Sequence, residues 1–244
     1  MIAEQAISPS IKLLDLSEIS IDSDSIQSNL SRERVNYIHL KHESISYNKI
    51  WDLQNLINGL VYNGSVYDTI LFLEHSHVIT FGKNSDKNFL IGDIPKDTEL
   101  IHTDRGGEIT YHGPGQLVIY PILNLSRYEK SITWYMRELE KLIINTLKDY
   151  HIKAERKKGL TGVWVNDKKI AALGVRISRW VTMHGFSLNI NPDLKYYQGI
   201  IPCGISQYGV TSMANILGDS APKMSEIKEK IVSQFISNFS AYKN

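Results

Sequence analysis

The chain has 244 residues, 42% of them hydrophobic and 22% charged, which is enough for one large domain with a sizeable core. Its 27 basic and 26 acidic residues leave a net charge of +1, which excludes any global pull towards nucleic acid or an anionic membrane. A single cysteine excludes an intramolecular disulfide and fits a reducing compartment, and no apolar run approaches the roughly 20 residues that span a bilayer.

Residues 1–33 are rich in Ser, Ile and Asp and are expected to form a partly flexible extension outside the main core. Asp15, Glu18, Asp22 and Asp24, with no basic segment leading into an apolar one, argue against a secretory or transit signal, so a cytoplasmic location is expected. Residues 34–244 are expected to form one domain. Val35, Tyr37 and His39 alternate with other residues as in a half-buried strand. The spacing of Tyr47, Ile50, Trp51, Leu56, Ile57, Leu60 and Val61 predicts a helix over 45–61, stopped by Asn63-Gly64. Short apolar strands follow at 69–74 and 78–81, then at 100–103, 109–111 and 117–123 around a glycine-rich turn. Ser131 suits the N-cap of a helix running to about residue 150, with Trp134, Leu139, Leu142, Ile143 and Leu147 as its stripe. A hairpin of 162–165 and 169–177 turns at Asn166-Asp167, another strand covers 182–190, and a last helix covers 224–242. Strands in succession with a few helices, without strict alternation, indicate an α+β fold: a mixed, largely antiparallel sheet flanked by helices.

Two stretches carry more special residues than a scaffold needs. The first is Arg105-Gly106-Gly107-Glu108-Ile109-Thr110-Tyr111-His112-Gly113-Pro114-Gly115-Gln116. Its glycines and proline make tight turns and let backbone N–H groups approach a ligand. A plain strand-connecting turn would also fit. A Walker-type phosphate loop does not, because Gln116-Leu117 stands where Lys and Ser or Thr are required.

The second is Ile200-Ile201-Pro202-Cys203-Gly204-Ile205. Proline on one side and glycine on the other suit a turn that presents the thiol, although a lone cysteine is more often a small buried hydrophobe. A nucleophilic thiol needs a nearby cation or a base. Lys168 and Lys169 open a strand, whose alternation turns one of them inward; His112 and His184 are rival bases.

Together these segments resemble the lipoyl(octanoyl) transferase family. Residues 105–116 match its signature of Arg-Gly-Gly, an acidic residue, any residue, Thr, any residue, then His-Gly-Pro-Gly-Gln. Lys169-Ile170-Ala171-Ala172-Leu173-Gly174-Val175-Arg176 resembles the family's lysine segment, and His184-Gly185-Phe186-Ser187-Leu188-Asn189 its next strand. Ile201-Pro202-Cys203-Gly204 resembles its cysteine turn, 34 residues after Lys169 as in the family pattern. The resemblance covers about residues 35–242 and implies the fold of the biotin and lipoate protein ligases. It also implies that Cys203 and Lys169 are catalytic: Cys203 would take an octanoyl group from octanoyl-acyl carrier protein as a thioester, while Lys169 would favour the thiolate and assist proton transfer. Arg105, Gly106, Gly107, Glu108, Ile109, Thr110, Tyr111 and His112 would hold the acyl group, together with Ala172, Leu173, Gly174, Gly185, Phe186 and Ser187. The acceptor would be a lysine of a lipoyl domain, in a 2-oxoacid dehydrogenase E2 subunit or the glycine cleavage H protein. No cofactor, metal, nucleic acid or membrane is implied, and a monomer is expected. An ATP-dependent lipoate ligase, a Cys/His thiol acyl hydrolase and a silent binding protein are the rival readings.

Overall fold

The computed structural model describes residues 11–18, 20–41, 45–201 and 208–240. Among these, the strands are β1 (Ile11–Leu14), β2 (Asn36–Leu40), β3 (Thr69–Leu73), β4 (Val78–Phe81), β5 (Glu99–His102) and β6 (Ile109–His112). They continue as β7 (Gln116–Ile122), β8 (Glu155–Lys157), β9 (Leu160–Val165), β10 (Lys168–Ser178), β11 (Val181–Asn189) and β12 (Gly209–Val210). The helices are α1 (Ser23–Asn29), α2 (Tyr47–Tyr62), α3 (Ile132–Lys148), α4 (Met213–Leu217) and α5 (Met224–Ser240).

The main sheet runs β1-β2-β3-β7-β11-β10-β9-β8, with β12 paired to β10, and a smaller sheet runs β5-β4-β6. From β3 through β8 every neighbour along the main path is antiparallel, whereas β1, β2 and β3 are mutually parallel. This is the mixed, largely antiparallel sheet expected from the sequence.

Both faces of that sheet are covered, which explains why its central strands are continuously apolar. In β7, Leu117 and Ile119 face one way, towards Leu139, Leu142, Ile143 and Leu147 of α3 and Ile227, Ile231, Phe235 and Phe239 of α5. Val118, Tyr120 and Ile122 face the other way, towards Ile50, Leu53, Ile57 and Leu60 of α2. Local signals bound the helices as expected. The Ser131 side chain accepts from the Trp134 N–H at the start of α3, and Gly64 takes a φ of +78° just beyond α2. No helix among the described residues is long and apolar enough to cross a membrane.

The stretch ahead of residue 34 departs from expectation. Its described part adds β1 to the edge of the main sheet, parallel to β2, and buries Leu14, Leu16, Ile26 and Leu30 in the α2-side core. Asp22 caps α1 by accepting from the Ser25 N–H at 2.9 Å. These elements therefore belong to the packed body. Their apolar residues are sparse among Ser and Asp, and one strand and two helical turns are too short to show a period. The short elements β8, β12 and α4 escape sequence patterning for the same reason.

Candidate active site

A cavity of about 550 Å³ opens between the glycine-rich loop and the strands β10 and β11. Antiparallel pairing builds it: the register sets Ala172 opposite Ser187, Leu173 opposite Phe186 and Gly174 opposite Gly185. The loop docks onto this pair through the Gly106 N–H, which donates to the Val175 carbonyl at 2.9 Å. A Cβ at Gly174 would lie 2.9 Å from the Gly106 carbonyl oxygen, so only glycine lets the loop come this close. The buried Arg105 guanidinium ties the loop to β4, donating from Nη2 to the Thr80 carbonyl at 2.6 Å and to its Oγ1 at 2.9 Å.

Arg105, Gly106, Gly107, Glu108, Ile109, Thr110, His112, Ala172, Leu173, Gly174, Gly185, Phe186 and Ser187 all line the cavity. Tyr111 does not. It sits between Thr110 and His112 on a strand, so its side chain takes the opposite face. There its hydroxyl pairs with His77 Nδ1 at 2.8 Å and its ring stacks on Tyr196. The remaining walls come from Tyr47, Val118, Tyr120, Ile132, Met136, Val175, His184 and residues 159–161.

Of the two lysines that open β10, Lys168 is exposed and Lys169 is only 5% exposed, as strand alternation requires. Lys169 shares a small void with Thr110 and Ala172, both of which also line the large cavity. It thus lies next to the cavity, behind its wall. Cys203 lies outside the described residues. On one side of it the chain is anchored by the Ile201 N–H, which donates to the Phe89 carbonyl at 2.8 Å. On the other side, β12 pairs in parallel with Lys168 and Lys169, and the Thr211 N–H donates to the Lys169 carbonyl at 3.0 Å.

Sequence reasoning misses a polar network in the cavity wall. His184 Nε2 donates to Asp104 at 2.8 Å, Asp104 pairs with Arg176 at 3.0 Å, and the Tyr47 hydroxyl approaches His184 Nδ1 at 3.3 Å. His75 Nε2 meets the Tyr120 hydroxyl at 2.8 Å. Asp104 precedes the glycine-rich run, and Tyr47 and Tyr120 stand inside apolar patterns, so no local spacing singles them out. The hydrogen bond from His184 holds the Asp104 carboxyl below the usual range. Burial pushes His184 down against the pull of Asp104.

His112 is held in one tautomer and orientation by its neighbour Gln116. The Gln116 amide donates to Asn189 Oδ1 at 2.9 Å, which leaves its oxygen to accept from His112 Nδ1 at 2.6 Å. Burial pushes His112 down to about 3 and His75 down to about 4, so both are neutral near pH 7. Their folded-state values lie below the unfolded value of about 6.5. The stability linked to them is therefore complete above that value and is lost as the unfolded chain takes up protons at lower pH. We expect stability to fall below about pH 6.5 by about 1.4 kcal/mol per pH unit for each of these histidines. Urea unfolding at successive pH values measures the slope, and His112→Gln should reduce it.

These features define an α+β domain with an apolar cavity walled by a glycine-rich loop and a buried lysine beside it. Residues 46–236 match the family described as the lipoyl protein ligase A/B catalytic domain, and the chain belongs to that family. It is 41% identical over 203 residues to a protein of Clostridium kluyveri named octanoyltransferase, covering 82% of this chain and 86% of that one. It is 47% identical over 195 residues to an octanoyltransferase of Solibacter usitatus, covering 78% and 87%. Among solved structures it resembles a putative lipoate protein ligase of Thermoplasma acidophilum, with a TM-score of 0.62 at 13% identity, covering 83% of this chain and 84% of that one. It also resembles lipoate-protein ligase A bound with ATP, with a TM-score of 0.59 at 14% identity, covering 75% and 78%. At such identities these structures establish the shared fold.

Proposed function

We propose that this chain is an octanoyltransferase of protein lipoylation, which moves an octanoyl group from octanoyl-acyl carrier protein to a lipoyl-domain lysine through a thioester on Cys203. The observation that carries the mechanism is the burial of Lys169 beside a cavity walled by the family's signature loop. The pairing of β12 with Lys168 and Lys169, six residues beyond Cys203, supports it.

The chemistry balances without a nucleotide. The Cys203 thiolate attacks the donor thioester carbonyl, a new C–S bond forms and the carrier's C–S bond breaks. The departing carrier thiolate takes a proton from the Lys169 ammonium. The acceptor amine then attacks the Cys203 thioester, forming the amide and releasing the Cys203 thiolate, while neutral Lys169 accepts the amine's proton. One thioester replaces another in the first half, so the activation needed for amide formation is retained. A half-enclosed apolar cavity limits access of water to the thioester. The acceptors are lipoyl domains of 2-oxoacid dehydrogenase E2 subunits and the glycine cleavage H protein, and the enzyme acts as a cytoplasmic monomer.

Intact-mass measurement after mixing with octanoyl carrier protein tests this. The expected result is one octanoyl group on Cys203, stable until a lipoyl domain is added and then found on that domain. Rapid loss to water would indicate a hydrolase. Modification of a lipoyl domain from free octanoate and ATP, without carrier, would indicate a ligase.

A further inference from the structure

We infer that Trp164 is a positioning residue for Lys169: its indole face holds the lysine ammonium behind the cavity wall. The inference rests on the role given to Lys169 above. Strands β9 and β10 are antiparallel and set Trp164 directly opposite Lys169. Lys169 Nζ stands 4.7 Å from the indole centroid, inside the range of about 6 Å over which a ring quadrupole attracts a cation.

The indole is not held there by its own polar atom. Trp164 is 1% exposed, yet its N–H makes no hydrogen bond among the described residues, a desolvation cost that a phenyl ring would not carry. What it offers Lys169 is its face. That ring is itself held by an edge contact with Tyr208 at 5.3 Å, and Lys157 Nζ lies 4.8 Å over Tyr208 while bound to Asp167 at 2.7 Å.

Gly162 completes the arrangement. It lies two residues ahead of Trp164 and so shares its face of β9. A Cβ there would meet Lys169 Cε at 3.1 Å and the Ala171 carbonyl oxygen at 2.9 Å. The lysine stem thus runs through the space a side chain would take. Lysine is among the side chains with most rotamer freedom to lose. Confining it between a glycine gap and a ring face removes that freedom before substrate arrives.

The test uses the full-length chain with Trp164→Leu and Trp164→Phe, each made alone and with Lys169→Ala. The rate of octanoyl adduct formation on Cys203, kcat and KM for octanoyl carrier protein, and the melting temperature are measured. We expect Trp164→Leu to lower kcat about tenfold with little change in KM, and Trp164→Phe to keep most of the rate. With Lys169→Ala already present, Trp164→Leu should not slow adduct formation further. An equal slowing in both backgrounds, or a loss in Trp164→Phe as large as in Trp164→Leu, would overturn the inference. If Lys169→Ala alone leaves kcat unchanged, the role of Lys169 itself falls. Should Trp164→Leu melt too low to assay, the unbranched Trp164→Met is measured in its place.

Discussion

Replacing Lys169 with alanine is expected to lower octanoyl transfer by about 10²- to 10⁴-fold, the usual range for loss of a positioned proton donor and acceptor. The side chain is almost wholly buried on a strand that also walls the cavity, so its ammonium is held in one place relative to that wall. Thiol chemistry itself is not removed. The Cys203 adduct should still form, slowly, and persist because no base takes the proton of the acceptor amine. Cys203→Ala should lose both adduct and turnover. Lys169→Arg should rescue little: a guanidinium keeps its proton and cannot act as a base, and it is too broad for the space beside Gly162. Single-turnover transfer from octanoyl carrier protein, with the adduct followed by mass, measures all three. Turnover near wild type in Lys169→Ala would refute the proposed proton path.

The second large effect concerns stability. Asp68→Ala is expected to destabilise the fold by about 2 kcal/mol, because it removes the common acceptor of two part-buried donors and of the partly exposed Arg127 guanidinium. Asp68 is fully buried just ahead of β3, where it pairs with the Arg127 guanidinium. It also accepts from the Tyr128 hydroxyl at 2.7 Å and the Asn124 N–H at 2.9 Å. These three partners form the turn that carries the chain from β7 to α3. Helix α3 in turn supplies Ile132 and Met136 to the cavity wall, so the loss should reach the site as well as the core. The urea midpoint gives the stability change, and a value within about 0.5 kcal/mol of wild type would show that the turn is held by packing alone.

Much of this molecule is legible in its amino-acid pattern. Amphipathic spacing locates α2, α3 and α5 to within a few residues, because a helix that buries one face must repeat at that spacing. The buried strands β3, β4, β6, β7 and β11 are legible too, since apolar runs bounded by turn residues have few other uses. Where the period is short the pattern is silent: β1, α1, β8 and β12 each span too few repeats to declare themselves. The signature loop stands out by its dense glycines, although the contact they serve, the close approach of Gly106 to Gly174 and Val175, spans distant parts of the chain.

The amino-acid order alone therefore determined the fold class, the family resemblance and the residue types available for chemistry, all of which depend on neighbours in the chain. Tertiary structure decided which of those residues meet. It turned Tyr111 away from the cavity between two residues that face it, and it buried Lys169 against Trp164 while leaving Lys168 in water. It also gathered Tyr47, Asp104 and His184 from three distant segments into one network. Strand register and burial set those outcomes, and both are properties of the whole sheet, which no local stretch of the chain encodes.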